Sequence, residues 1–223
     1  MTPTQIEHFF ATLAAADPDP RTELAYRSPF ELLVAVVLSA QATDAGVNKA
    51  TPALFAAAPT PDGMVALGED RIRDLIRTIG LFNTKAKNVA ALAARLVADH
   101  GGAVPCDRAS LEALPGVGRK TASVVLNVAF GEDACAVDTH VFRVANRTGL
   151  APGKTPGAVE DALGAVIPPP YRRHAHHWLI LHGRYICLAR RPQCWRCPVA
   201  VDCAFEPKTP APAGPLPALA AEV

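Results

Sequence analysis

Leu114-Pro115-Gly116-Val117-Gly118-Arg119-Lys120-Thr121 lies between two stretches of helical spacing, and its reading decides the fold. Pro115 closes the first stretch, and glycines at 116 and 118 allow dihedrals closed to other residues. With no Cβ in the way, the N–H groups of Gly116 and Gly118 can point outward beside the positive end of the next helix. That is an anion site made of backbone, suited to a phosphate. Tight turns use glycine for their own sake as well, so the two glycines alone do not separate these uses.

Outward from this turn the chain reads as all-α, rich in alanine and leucine with few β-branched runs. Ser28-Pro29-Phe30-Glu31 has the pattern of a capping box with proline at the first helical position. Phe30 to Leu38 is apolar on every face but for Glu31, which predicts a helix deep in the core. Thr60-Pro61-Asp62 opens another helix by the same logic. Asp70 to Ile79 and Asn88 to Ala98 have amphipathic spacing, the second ending near His100-Gly101-Gly102. Ala109 to Phe130 reads as a short helix, the turn and a second helix. Further helices are expected from near Asp138 and over roughly Tyr171 to Cys187. The segment from Pro207 to Val223 carries five prolines and almost no charge, and is expected to be a disordered tail.

Half of the 223 residues are hydrophobic and 19% are charged, which excludes wholesale disorder and permits one large domain or two small ones. No apolar run reaches the roughly 18 residues of a membrane span, and the N-terminus carries no secretion signal. The expected protein is soluble and intracellular. Net charge is only +1, but it is unevenly spread. Residues 162–201 contain six arginines and no acid, leaving 16 basic against 21 acidic side chains elsewhere. That segment suits a polyanion, or is a solvated basic surface.

Two side chains near the turn invite chemistry. Lys120 falls in the first turn of its helix beside Arg119, where the helix dipole and the neighbouring charge both disfavour an ammonium. A free amine is what attack on a sugar carbon needs, although a lysine on a phosphate-binding turn fits the spacing equally. Asp138, in Val137-Asp138-Thr139-His140, follows an apolar residue and precedes an apolar run. It reads as a half-buried helix N-cap, a role compatible with stabilising positive charge on a sugar. Cys187, Cys194, Cys197 and Cys203 place four thiols close together in sequence, a pattern open to a four-cysteine zinc site or an iron–sulfur site. Cys106 and Cys135 stand outside it and read as small buried residues.

Taken together, L-P-G-V-G-R-K-T-A and the downstream V-D-T-H-V-F-R-V resemble the endonuclease III family, bifunctional DNA glycosylases and abasic-site lyases with a helix–hairpin–helix motif. The similarity runs from about Pro29 to Cys203. It implies an all-α fold of two helical domains with a DNA-binding cleft. Residues 22–132 would form a six-helix domain with the helix–hairpin–helix. Residues 1–21 and 133–206 would form an iron–sulfur cluster domain, followed by the tail 207–223. Lys120 would be the nucleophile and Asp138 its carboxylate partner. The four cysteines would hold a [4Fe-4S] cluster, with Arg190 and Arg191 in its loop facing DNA phosphates.

A glycosylase must also fill the hole left by an extruded nucleotide. Leu38-Ser39-Ala40-Gln41-Ala42-Thr43-Asp44 and Gly80-Leu81-Phe82-Asn83-Thr84-Lys85-Ala86-Lys87-Asn88 resemble the two wedge loops of the family, with Gln41 and Leu81 entering the duplex. On spacing alone, Gln41 reads as a helix C-cap and Leu81 as core. Lys85 and Lys87 read as backbone contacts or a solvated face. The expected partner is double-stranded DNA containing damaged pyrimidines or abasic sites, bound by a monomer in the bacterial cytoplasm at the nucleoid. The competing expectation is an inactive DNA-binding iron–sulfur protein of the same fold.

Overall fold

A computed structural model describes residues 1–212. Among them every regular element is helical. In chain order these are α1 (Pro3–Ala16), α2 (Pro29–Leu38), α3 (Asp44–Ala57), α4 (Pro61–Ile76), α5 (Phe82–His100), α6 (Arg108–Glu112), α7 (Arg119–Phe130), α8 (Thr139–Thr148), α9 (Pro156–Val166) and α10 (Arg172–Tyr185), with single 3-10 turns at Pro169–Tyr171 and Cys194–Arg196. None of these helices is long and apolar enough to cross a membrane. The chain divides into two compact units, Thr22–Glu132 and Met1–Arg21 with the chain from Asp133 onward.

The first unit, Thr22–Glu132, is built on α2. Ser28 caps the helix by accepting from Glu31 N, and every residue from Phe30 to Leu38 is buried. The expected capping box is only half made. Glu31 reaches back past Ser28 to accept from Arg27 N at 2.7 Å and from the Arg27 guanidinium at 3.1 Å. A carboxylate as buried as Glu31 needs both partners, and a cation one residue further back supplies them better than Ser28 N–H alone. Around α2 pack α3, α5 and α7, and α4 lies against α3 and α5. Two helices are longer than the sequence pattern predicts. α5 begins at Phe82, and α4 runs through the segment starting at Asp70 with a kink at Gly68 (φ 77°).

The second unit joins α1 to α8, α9 and α10 around Phe9, Phe10, Val141, Val144, Leu163, Trp178 and Leu179. Thr2 and Gln5 make the complete capping box of the chain's first helix. Trp178 Nε1 donates to Asp17 O at 2.8 Å, tying the end of α1 to α10. α8 and α10 cross at Gly183, where a Cβ would stand 2.8 Å from His140 Cβ and 3.3 Å from its backbone. The glycine is what lets the two helices approach. Beyond Cys203 the chain remains attached. Lys208 donates to Cys203 O at 2.8 Å and to Phe205 O at 2.6 Å, so the expectation of disorder from Pro207 fails at its start; residues 213–223 lie outside the described residues.

Two expected outcomes follow from this packing. Gly183→Ala forces a methyl group into helix–helix contact and is expected to lower stability by about 1–3 kcal/mol, read by thermal or denaturant unfolding. His177 is buried with Nδ1 unpartnered. Burial, then the neighbouring His176 and His174, push its pKa from 6.5 down to about 4. The unfolded chain therefore takes up this proton first. Stability should be full above pH 6.5 and fall as pH drops toward 4, by at most about 1.4 kcal/mol per pH unit from this group. Melting curves across that window should show the slope, and His177→Leu should make it shallower.

Candidate active site

In Thr22–Glu132, α6 and α7 flank the hairpin turn. Gly116 has φ +78°, and a Cβ there would meet Asn88 at 3.0 Å, so both the conformation and the space demand glycine. Gly118 does not follow the expectation of special dihedrals: its φ of −101° is open to any residue. As N-cap of α7 it offers no side-chain hydrogen bond, and a Cβ there would meet nothing within 4 Å. The positive end of α7 is thus left accessible to an anion. Gly116, Gly118 and Lys120 are all exposed, with Lys120 the second residue of the helix.

The two expected wedges share a property that no sequence pattern announced. Among the described residues, Gln41 (φ 54°) and Leu81 (φ 60°) are the only non-glycine residues with positive φ. A left-handed leucine costs roughly 1–2 kcal/mol, and such strain gathers at functional sites. Both residues are exposed, and Leu81 presents 59% of its surface to solvent. The readings of Leu81 as core and Gln41 as a C-cap both fail, since α2 ends at Leu38 with Ser39 as its cap.

Lys85 corrects another expectation. It is buried, not solvated, and its Nζ has no partner; burial lowers its pKa. It lies on the same face of α5 as Val89, Leu92 and Leu96, all buried, so helical spacing counted back from Leu96 would have placed it inside. Lys87, on the other face, is exposed.

In the other unit, Asp138 is half-buried and caps α8. Its Oδ1 accepts from His140 N and Val141 N, each at 2.8 Å. Arg143, one turn on, donates to Cys187 O at 3.0 Å and to Gly183 O at 2.8 Å. The four cysteines line one cavity, together with Arg147, His182 and Phe205. Burial pushes the Cys197 thiol up to about 11 and raises Cys203. Neutral thiols are poor ligands, and a bound cationic centre would supply the charge that makes them thiolates. Among the described residues no three His, Cys, Asp or Glu side chains converge on one point. Arg190 and Arg191 are exposed in the loop. Cys135 is buried, and burial pushes its thiol to about 12, whereas Cys106 is exposed, against expectation. Sequence reasoning passed over Arg143 and Arg147, whose four-residue spacing on α8 is the signal that both face the loop.

Residues 34–169 match the HhH-GPD superfamily base excision DNA repair protein family. The chain belongs to the HhH-GPD superfamily. Within it the similarity is to endonuclease III. The Treponema pallidum protein of that name is 57% identical over 188 residues, covering 84% of this chain and 89% of the relative. The Escherichia coli (strain K12) protein is 55% identical over 192 residues, covering 86% and 91%. A solved endonuclease III–DNA covalent intermediate, trapped as an estranged-adenine complex, superposes with a TM-score of 0.85 at 46% identity, covering 92% of this chain and 96% of that one.

For this HhH-GPD chain the strain at Leu81 yields a test. Leu81→Gly relieves the left-handed backbone, offsetting glycine's greater unfolded entropy of roughly 0.5–1 kcal/mol. Its melting temperature should be no lower than the parent's, while its affinity for duplex containing an abasic site falls. Parent-like affinity in a binding titration would remove Leu81 from the DNA face.

Proposed function

We propose that the protein excises damaged pyrimidines from duplex DNA and cleaves the resulting abasic site, with Lys120 as nucleophile and Asp138 as the carboxylate that serves it. The observation that carries this reading is the coincidence of the two strained, exposed residues, Gln41 and Leu81, with the loops expected to enter the duplex. It is joined by an accessible hairpin turn presenting Lys120. The chain is a base-excision repair enzyme of the endonuclease III type, a glycosylase and abasic-site lyase, as its identity to that family supports.

Gly116 and Gly118 bring backbone N–H groups to phosphate and grip the duplex without reading sequence. Gln41 and Leu81 fill the space vacated by the extruded nucleotide. The Lys120 amine attacks C1′, the C1′–N bond breaks, and the base departs with a proton. C1′ then carries both Nζ and the ring oxygen; the C1′–O4′ bond breaks, O4′ takes a proton, and the ring opens to an iminium, the Schiff base between Nζ and C1′. Loss of a C2′ proton then drives β-elimination, breaking the C3′–O bond and cutting the strand 3′ to the lesion. Asp138 is held by two backbone N–H bonds, which aim its carboxylate without a side-chain partner and let it offset positive charge developing on the sugar.

Cys187, Cys194, Cys197 and Cys203 would hold a [4Fe-4S] cluster. The donor set, four thiols around one cavity, suits a polynuclear group better than a single zinc ion, whose Zn–S bonds of about 2.3 Å draw four sulfurs together. When bound, the cluster orders the loop, and with four thiolate ligands it leaves no position for a reacting water. Arg190 and Arg191 in that loop would contact DNA phosphates. The substrate class is oxidised pyrimidines and abasic sites, acted on by a monomer in the cytoplasm at the nucleoid.

Borohydride reduction during reaction with abasic-site duplex tests the assignment. The parent should be captured covalently on DNA, and Lys120→Gln should lose both capture and strand cleavage, by a factor of about 100 or more. Asp138→Asn should slow base release more than it slows cleavage of a preformed abasic site. Undiminished trapping by Lys120→Gln would move the nucleophile elsewhere.

A further inference from the structure

The cysteine loop is held by a side chain that the cysteine pattern does not contain. Arg147 stands in the last turn of α8, and its guanidinium is spread over three acceptors of the loop. Nη1 donates to Leu188 O at 2.6 Å and to Cys187 Sγ at 3.4 Å. Nη2 donates to Ala189 O at 2.9 Å. The guanidinium carbon lies 5.2 Å from the centroid of the Phe205 ring, within reach of a cation–π contact. Phe205 in turn donates its N–H to Cys203 Sγ at 3.5 Å. One fixed charge therefore touches the first cysteine directly and the last through the residue it packs against.

We infer that Arg147 is a positioning residue for the cluster: its guanidinium fork clamps the loop carrying Cys187 and Cys203 and donates a charge-assisted hydrogen bond to the Cys187 sulfur. The inference rests on the cofactor reading above. A planar fork can serve a sulfur and two carbonyls at once, which a lysine ammonium on its flexible stem does not reproduce. A donor to a thiolate sulfur also withdraws electron density from the iron–sulfur bond, leaving a spectroscopic mark that loop packing alone would not.

The experiment uses the full chain as purified, with iron and sulfide analysed first. Iron release to a chelator is then followed below the melting temperature, with far-UV circular dichroism monitoring the fold. Arg147→Met, which keeps the stem and removes the donors, should release iron about 10–100-fold faster than the parent. Its terminal iron–thiolate Raman bands should shift upward. Arg147→Lys should fold and lie between the two in release rate. A Lys variant equal to the parent in release and in its bands overturns the clamp, as does a Met variant that equals it. A parent lacking iron and sulfide overturns the cofactor reading itself, and the inference with it.

Discussion

Asp138 Oδ1 accepts two backbone N–H bonds at the start of α8, and much of the second unit depends on the helix so begun. A cap of this kind is worth about 1 kcal/mol by itself, but the residues it organises matter more. Val141, Val144 and Ala145 enter the core, while Arg143 reaches the Cys187 carbonyl and Gly183. A helix of ten residues is too short to persist alone. It persists because one face is buried and both ends are tied, at the front by a carboxylate and at the back by arginines meeting the cysteine loop. The group proposed for chemistry is thus also the group that starts the element supporting it.

The other unit separates rigidity from strain. α2 is buried along its length, and each fully buried Leu or Val contributes about 1.5–3 kcal/mol. Immediately beyond its end stands Gln41 in a left-handed conformation, and Leu81 does the same just before α5. Backbone held in so unfavourable a region needs firm elements beside it. The buried α2 and the long α5 provide them, so that an apolar leucine remains in solvent where folding alone would have hidden it.

Much of this was legible in the sequence, for identifiable reasons. Caps and apolar faces are local, so the start of α2 at Ser28, the start of α4 at Thr60 and the start of α8 at Asp138 could be read directly. Elsewhere the local pattern fell short: α4, with its kink at Gly68, read as two segments, and no helix was marked over α3, which carries Pro52 in its interior. The hairpin turn was legible as a motif but not in detail, since only Gly116 has a conformation and surroundings that call for glycine. Leu81 and Gln41 carry no local signal of positive φ, being neither glycine nor asparagine, and only the family resemblance marked them. Lys85 was misjudged by its charge, although its position on the buried face of α5 was there to be counted.

Asn88 has one more consequence. It presses against the place where a Cβ of Gly116 would be, and it belongs to the same helix that Leu81 introduces. The element ahead of which the leucine stands therefore lies close against the hairpin turn inside one unit. Their spacing is set before any duplex arrives, in the manner of a calliper with a locked jaw. On the proposed function such a device would measure: the nucleotide beside the leucine would lie at a constant number of steps from the phosphate in the turn, whichever lesion is presented.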